Sequence, residues 1–199
     1  MKTSRRIEWF LAGLLTLIIL VGLGWLIWTQ IDQATPMSQT PTVFTARSAY
    51  AKAAVVARGW DMQAELVSAR TTWNRDAQGD YSQMGWSFVF YSAEQSATAL
   101  VAVSEEGASL LNSRVSDRIV TPAAIDQWRL DSPAVIESFN DAVDQTFLDT
   151  IGEAIFTLTL NMTEPPSWSA ALMNLDSGKY FGVELDANSG QTIDIQLVE

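Results

Sequence analysis

The chain has 199 residues, with 12 Lys and Arg against 23 Asp and Glu, and it contains neither Cys nor His. Such an acidic protein is repelled by nucleic acid and by anionic lipid, so we expect no nucleic-acid partner. The missing Cys excludes disulfides and a lipidated cysteine, and the missing His removes the commonest general base and metal ligand.

An uncharged, Leu- and Ile-rich run extends from Trp9 to Trp28. At about 1.5 Å of rise per residue it spans roughly 30 Å, the thickness of a bilayer's apolar core. We predict a transmembrane helix over 9–28, with 1–8 in the cytoplasm, because that segment carries Lys2, Arg5 and Arg6. A cleaved signal peptide is the alternative, but its apolar core is usually shorter and a small-x-small cleavage site should follow.

A polar, proline-containing tether over 29–42 is expected to lift the remaining chain off the membrane. The first unit, 43–120, should open with a helix that is capped near Thr40 and closed by Gly59. Three strands follow by their apolar alternation, at 64–73, around 86–90 and at 97–103. Polar turns separate these strands, and Glu105-Glu106-Gly107 turns the chain again after the third.

The second unit, 121–199, repeats this order. Asp131-Ser132-Pro133 is a cap followed by proline, and apolar residues recur at helical spacing as far as Phe147. Four strands follow, and the last of them carries Ile193, Ile195 and Leu197. A shift of 82 positions sets Trp86 on Trp168, each followed by Ser.

The fold class predicted is α+β: two repeats, each with a helix packed on an antiparallel sheet, after a single transmembrane helix. Chance agreement between two amphipathic patterns is the alternative. Whether the repeats share one sheet is left open by the sequence.

The closing stretch from Tyr180 to Leu197, YFGVELDANSGQTIDIQL, resembles the end of a PepSY domain, in which an alternating strand runs into Asp-Ala-x-Thr/Ser-Gly and a final strand. In the first unit only the acidic turn and glycine of 103–107 match. The resemblance implies a cystatin-like fold, a helix wrapped by an antiparallel sheet. It also implies protein or peptide binding, with restraint of a protease as one form.

No catalytic, cofactor or metal site is predicted. Oxygen-bearing residues alternate from Asp186 to Asp194, but the spacing departs from a calcium loop and a β-turn explains them better. The carboxylates Asp141, Asp144 and Asp149 fit a solvated helix face better than an acid-base pair. A serine triad is impossible without His.

Tryptophans divide into two groups. Trp86 and Trp168 occupy strand positions and should be core. Trp73, beside a polar turn, and Trp128, in the connection between the units, are the candidates for exposed partner-binding anchors, with cover over a core edge as the alternative.

The sequence therefore predicts a single-pass, non-catalytic protein that presents a binding or regulatory module outside the cell. Its partner would be a protein or peptide, bound at a sheet edge by strand addition. A structural subunit or assembly factor of an envelope membrane complex is the alternative. A hydrolase would need two carboxylates in one pocket.

Overall fold

The computed structural model describes residues 44–117 and 119–198. Within these residues, eight antiparallel strands form one sheet with helices on one face, which makes this an α+β fold. In chain order the elements are α1 (Ala46–Trp60), β1 (Glu65–Arg75), β2 (Tyr81–Ser92), β3 (Ala97–Val103), β4 (Ala108–Val115), a 3-10 turn (Ile125–Gln127), α2 (Ser132–Ala142), α3 (Gln145–Asp149), β5 (Ala154–Asn161), β6 (Ser167–Asn174), β7 (Tyr180–Asp186) and β8 (Thr192–Val198).

Among the helices in the described part of the chain, none is long and apolar enough to cross a membrane. The predicted cytoplasmic segment 1–8, membrane span 9–28 and tether 29–42 lie outside the described residues.

Helix α1 begins later than the sequence suggested. Thr45 is its N-cap, and its Oγ1 accepts the N–H of Ser48 at 3.2 Å, so the predicted cap at Thr40 is wrong. Gly59 lies inside the last turn rather than beyond it, and Asp61 is the C-cap. The buried side of α1 is made of five alanines, which let the helix approach the sheet closely: Ala46, Ala49, Ala53, Ala54 and Ala57.

The sheet runs in the order β4-β3-β2-β1-β5-β6-β7-β8. Each half is a four-stranded meander, and the two meet where β1 pairs antiparallel with β5, with Ala69 opposite Leu160. The units predicted at 43–120 and 121–199 therefore contribute to one continuous sheet. The fourth strand of the first half, β4, was not specified by the sequence pattern.

The second half does not carry the single long helix that the apolar spacing predicted. Helix α2 ends at Ala142 because Val143 is extended, with φ −75° and ψ 135°. Asp144 then caps α3, its carboxylate accepting the N–H of Thr146 at 2.8 Å. A side chain that can cap a new helix competes with continuation of the old one.

Two tryptophans fix the centre of the core, and their predicted burial is confirmed. Trp86 Nε1 donates to the carbonyl of Phe44 at 2.8 Å, and Trp168 Nε1 donates to the carbonyl of Leu130 at 2.9 Å. Each carbonyl belongs to the residue just before the N-cap of that half's helix. The two rings meet edge to face with their centroids 6.3 Å apart. In each half, therefore, an indole hydrogen bond holds the start of a helix against the core where the halves meet.

Candidate partner-binding edge

The two tryptophans expected as exposed anchors are both buried, so that expectation is wrong. Trp73 is 6% exposed and Trp128 is 3% exposed. Trp73 sits opposite Phe156 across the β1–β5 pair, with ring centroids 5.5 Å apart. Polar turns flank these residues in sequence, but the long-range pairing of strands and helices covers them. Neither side chain is available to a partner.

Trp128 joins the connection between the halves to the rest of the core. Its Nε1 donates to the carbonyl of Leu130 at 2.7 Å, and its ring meets the Tyr50 ring edge to face at 5.6 Å. Arg47 of α1 donates to the carbonyls of Trp128 and Arg129 at 2.7 and 3.0 Å. These contacts give Trp128 a structural role, the alternative set out for it.

The acidic turns are structural as well. Oδ1 of Asp186 accepts the N–H groups of Asn188 and Ser189 at 3.0 and 2.6 Å. These hydrogen bonds, Ser189 first, hold the pKa of Asp186 below its ordinary value. The predicted turn is confirmed, and Glu105 and Glu106 are exposed at the corresponding hairpin tip.

The pKa values of two other carboxylates, Asp144 and Asp61, are lowered as well. Hydrogen bonds from the Thr146 backbone lower the pKa of Asp144, and the Ser92 hydroxyl lowers the pKa of Asp61. A general acid would need a raised pKa. Among the described residues, no group of three or more acidic side chains is arranged to hold a metal ion.

The strongest candidate for a binding surface is the edge strand β8. It ends the sheet, and its apolar side chains Ile195 and Leu197 are 51% and 54% exposed. They lie opposite Val183 and Phe181 of β7, which are buried. Directly opposite residues share a face of the sheet, so Ile195 and Leu197 continue the core face beyond its cover.

The helices reach the two edges of the sheet differently, but both edge strands are exposed. Helix α1 packs against β2, β3 and β4, whereas the main contacts of α2 are with β6 and β7. Seven of the eight β4 residues and all seven β8 residues are nevertheless exposed. Here the apolar alternation of β8 marks a surface and not an interior.

The other edge is better protected. Strand β4 has a bulge in its middle, at Leu111, and carries Arg114. A bulge or a cation on an edge strand discourages further pairing. Strand β8 is instead in regular register over five consecutive pairs from Asp194 to Val198, and its bulge lies at the start of the strand, at Ile193.

The sequence placed Ile193, Ile195 and Leu197 in a strand but did not identify them as a binding surface. A partial signal was available, because the last strand of a meander pairs on one side within the meander and is an edge strand unless another segment pairs with its free side, as β5 does with β1. The chain matches no protein-family model, no curated protein and no solved structure. The resemblance to PepSY domains and the two-repeat, cystatin-like description therefore stay predictions.

Proposed function

We propose that this protein is a membrane-anchored, extracytoplasmic, PepSY-like module of two cystatin-like repeats that binds a protein or peptide and performs no catalysis. One observation carries the proposal: in the part of the chain that the structure describes, β8 offers an unpaired, regular strand edge with an exposed apolar row, Ile195 and Leu197. An extended segment can add to such an edge, with main-chain hydrogen bonds supplying affinity and alternate side chains supplying specificity.

The anchor belongs to the same proposal. The apolar run 9–28 and the tether 29–42 would hold the domain close to the extracytoplasmic face of the membrane. Its partner there would be another envelope protein or a secreted protein. Strand addition to a protease segment would restrain that protease, the role that the PepSY resemblance implies.

Strand addition is tested by selecting extended peptides that bind the full-length protein in an uncharged detergent. We expect selected peptides to slow amide hydrogen exchange in β8. The double variant Ile195→Ser/Leu197→Ser should bind them about tenfold more weakly, since it loses apolar contact area on both side chains.

The matched control is Leu110→Ser/Val115→Ser, which removes two exposed apolar side chains from the opposite edge. It should bind as the unaltered protein does. Equal loss in both variants, or bound peptides that leave β8 exchange unchanged, would show that β8 is not the site.

A second experiment separates a binding module from a structural subunit of a membrane complex. Replacing 9–28 with an unrelated membrane anchor should leave cellular function intact if the outer domain acts by itself. Loss of function with the outer domain correctly folded and exported would favour the subunit, because then the helix itself forms part of the interface.

A further inference from the structure

We propose that the segment recognised at β8 is cationic, with Lys or Arg alternating with apolar residues. This inference rests on the proposed function and adds the chemistry of the partner. It draws on the charge of the second half, on two opposed carboxylates at the edge, and on the face that each β8 side chain occupies.

Charge is distributed unequally between the halves. Residues 44–117 contain eight acidic and six basic side chains, whereas residues 131–198 contain eleven acidic side chains and one basic one, Lys179. The second half thus has a net charge of −10, and β8 is its outer strand. A cationic segment approaching β8 is attracted by this field, and an acidic one is repelled.

At the edge itself, two carboxylates face each other. Glu184 of β7 is directly opposite Asp194 of β8, a like-charge pair that destabilises a sheet. Among the described residues, the hydrogen bonds of the Asp194 carboxylate come from its own strand: Oδ1 accepts the N–H of Ile195 at 2.9 Å, and Oδ2 accepts from Gln196 Nε2 at 2.9 Å. A cation placed beside Asp194 would offset the repulsion.

The register of an added strand gives the partner's pattern. The sheet is antiparallel throughout, so an added antiparallel strand continues its alternation. Its residue opposite Asp194 lies on the helix-free face and should be Lys or Arg. Its residues opposite Ile195 and Leu197 lie on the core face and should be apolar, extending the exposed row.

A second copy of this chain fits β8 less well. Antiparallel β8-to-β8 pairing would bring two halves of net charge −10 side by side. Such like-charge juxtaposition opposes association. The same chemistry argues for a foreign cationic segment.

The test uses the full-length protein in an uncharged detergent and three capped peptides of about seven residues, the length of β8. The peptides alternate Val with Lys, with Gln or with Glu. Affinity is measured by fluorescence anisotropy and the site by hydrogen exchange in β8. We expect the Lys peptide to bind about tenfold tighter than the Gln peptide at low salt, and this advantage to shrink as salt screens the charges.

A pair of variants separates local contact from the general field. Asp194→Asn should weaken the Lys peptide about threefold or more and leave the Gln peptide unchanged. Glu137→Gln removes one exposed carboxylate from α2, in the same half, and should have little effect. Equal effects of the two variants would overturn the predicted pairing with Asp194.

The outcomes for charge and for strand addition are distinct. If the Lys and Gln peptides protect β8 equally well, the cationic preference is wrong and strand addition stands. If no peptide protects β8, or if light scattering shows a dimer whose β8 is already protected, both the cationic preference and the proposed strand addition at β8 are wrong.

Discussion

The two halves of this sheet share a topology and differ in the edge strand that each presents. In the first, a 15-residue helix packs across β2, β3 and the edge strand β4. In the second, an 11-residue helix ends at Ala142, and its main contacts are with β6 and β7. Both edge strands are exposed and both carry exposed apolar side chains. They differ in that β4 has a central bulge and Arg114, whereas β8 keeps regular register from Asp194 to Val198, so the regularity of the strand and not its exposure sets β8 apart as a binding edge.

The two halves also use different hydrogen bonds to join the chain after a helix to the end of a strand. Ser92, at the end of β2, donates its hydroxyl to the carboxylate of Asp61, just after α1. Asn174, 82 positions later at the end of β6, donates to the carbonyl of Thr150, just after α3. Both hydrogen bonds connect the residue after a helix to the end of a strand, but only the first involves a titratable group, the carboxylate of Asp61.

The largest effect should come from the shared core. Trp168→Ala and Trp86→Ala should each lower the free energy of unfolding by about 3–5 kcal/mol, because each removes a buried ring and the hydrogen bond that anchors a helix. Denaturant unfolding followed by tryptophan fluorescence and by circular dichroism measures this loss.

Those variants also test whether the halves are coupled. Since β1 pairs with β5, we expect one transition, with the two probes coinciding. Two separated transitions, with the unaltered half melting later, would contradict a single cooperative sheet.

The next effect concerns two glycines with positive φ. Gly85 has φ +85°, and a Cβ there would lie 2.7 Å from the carbonyl oxygen of Val103. Gly178 has φ +72° in a turn with open space around the position. Gly85→Ala should cost about 2–3 kcal/mol, from strain and clash together, and Gly178→Ala about 1 kcal/mol from strain alone. Equal losses in thermal unfolding would mean that the backbone around Gly85 yields.

A smaller effect is expected at the cap of α1. Thr45→Ala should cost about 1 kcal/mol, because the N–H of Ser48 loses its acceptor. Thr45→Ser is the control, since it keeps the hydroxyl, and it should retain most of the stability. If Ser and Ala behave alike in denaturant unfolding, the cap contributes little and the tryptophan anchor dominates.

The smallest effect is confined to acid and to the first half. Hydrogen bonds lower the folded-state pKa of Asp61, so its stabilising contribution is present above its unfolded pKa of about 3.9 and is lost as the pH falls through the lowered value. Amide exchange beside Ser92 should therefore accelerate in acid before exchange beside Asn174 does.

The variant Ser92→Ala keeps the carboxylate but removes its main partner. It should bring the folded-state pKa of Asp61 closer to its unfolded value, so the acid-dependent loss of local protection should become smaller, and the second half should be unaffected. Simultaneous acid opening at both junctions would contradict the assignment to Asp61.

The fold was predictable where the signal is local. Asp131 followed by Ser132 and Pro133 marks the start of α2, and alternation marks β3 at its observed bounds, 97–103. The start of α1 was misplaced because Thr followed by Pro is a typical helix start, whereas the observed cap is Thr45, whose side chain accepts the N–H of Ser48. The break at Val143 was missed because apolar spacing continues across it to Phe147.

The candidate site was harder to predict from the sequence than the fold. Trp73 and Trp128 neighbour polar sequence, which suggests exposure, yet each is covered by residues distant in the chain: Phe156 and Tyr50. Ile195 and Leu197 have the pattern of buried residues and are exposed. Periodicity reports which residues share a face but not what lies against it.

By itself the sequence determined the acidity, the uncharged run 9–28, the order of a helix and strands twice over, and the burial of Trp86 and Trp168, because composition and periodicity are properties of nearby residues. Only the tertiary structure decided that β1 and β5 join the halves, that β8 forms a regular edge of the sheet, and that Asp194 faces Glu184. Strand pairing and helix placement depend on contacts between distant segments, and these contacts create the edge proposed to bind.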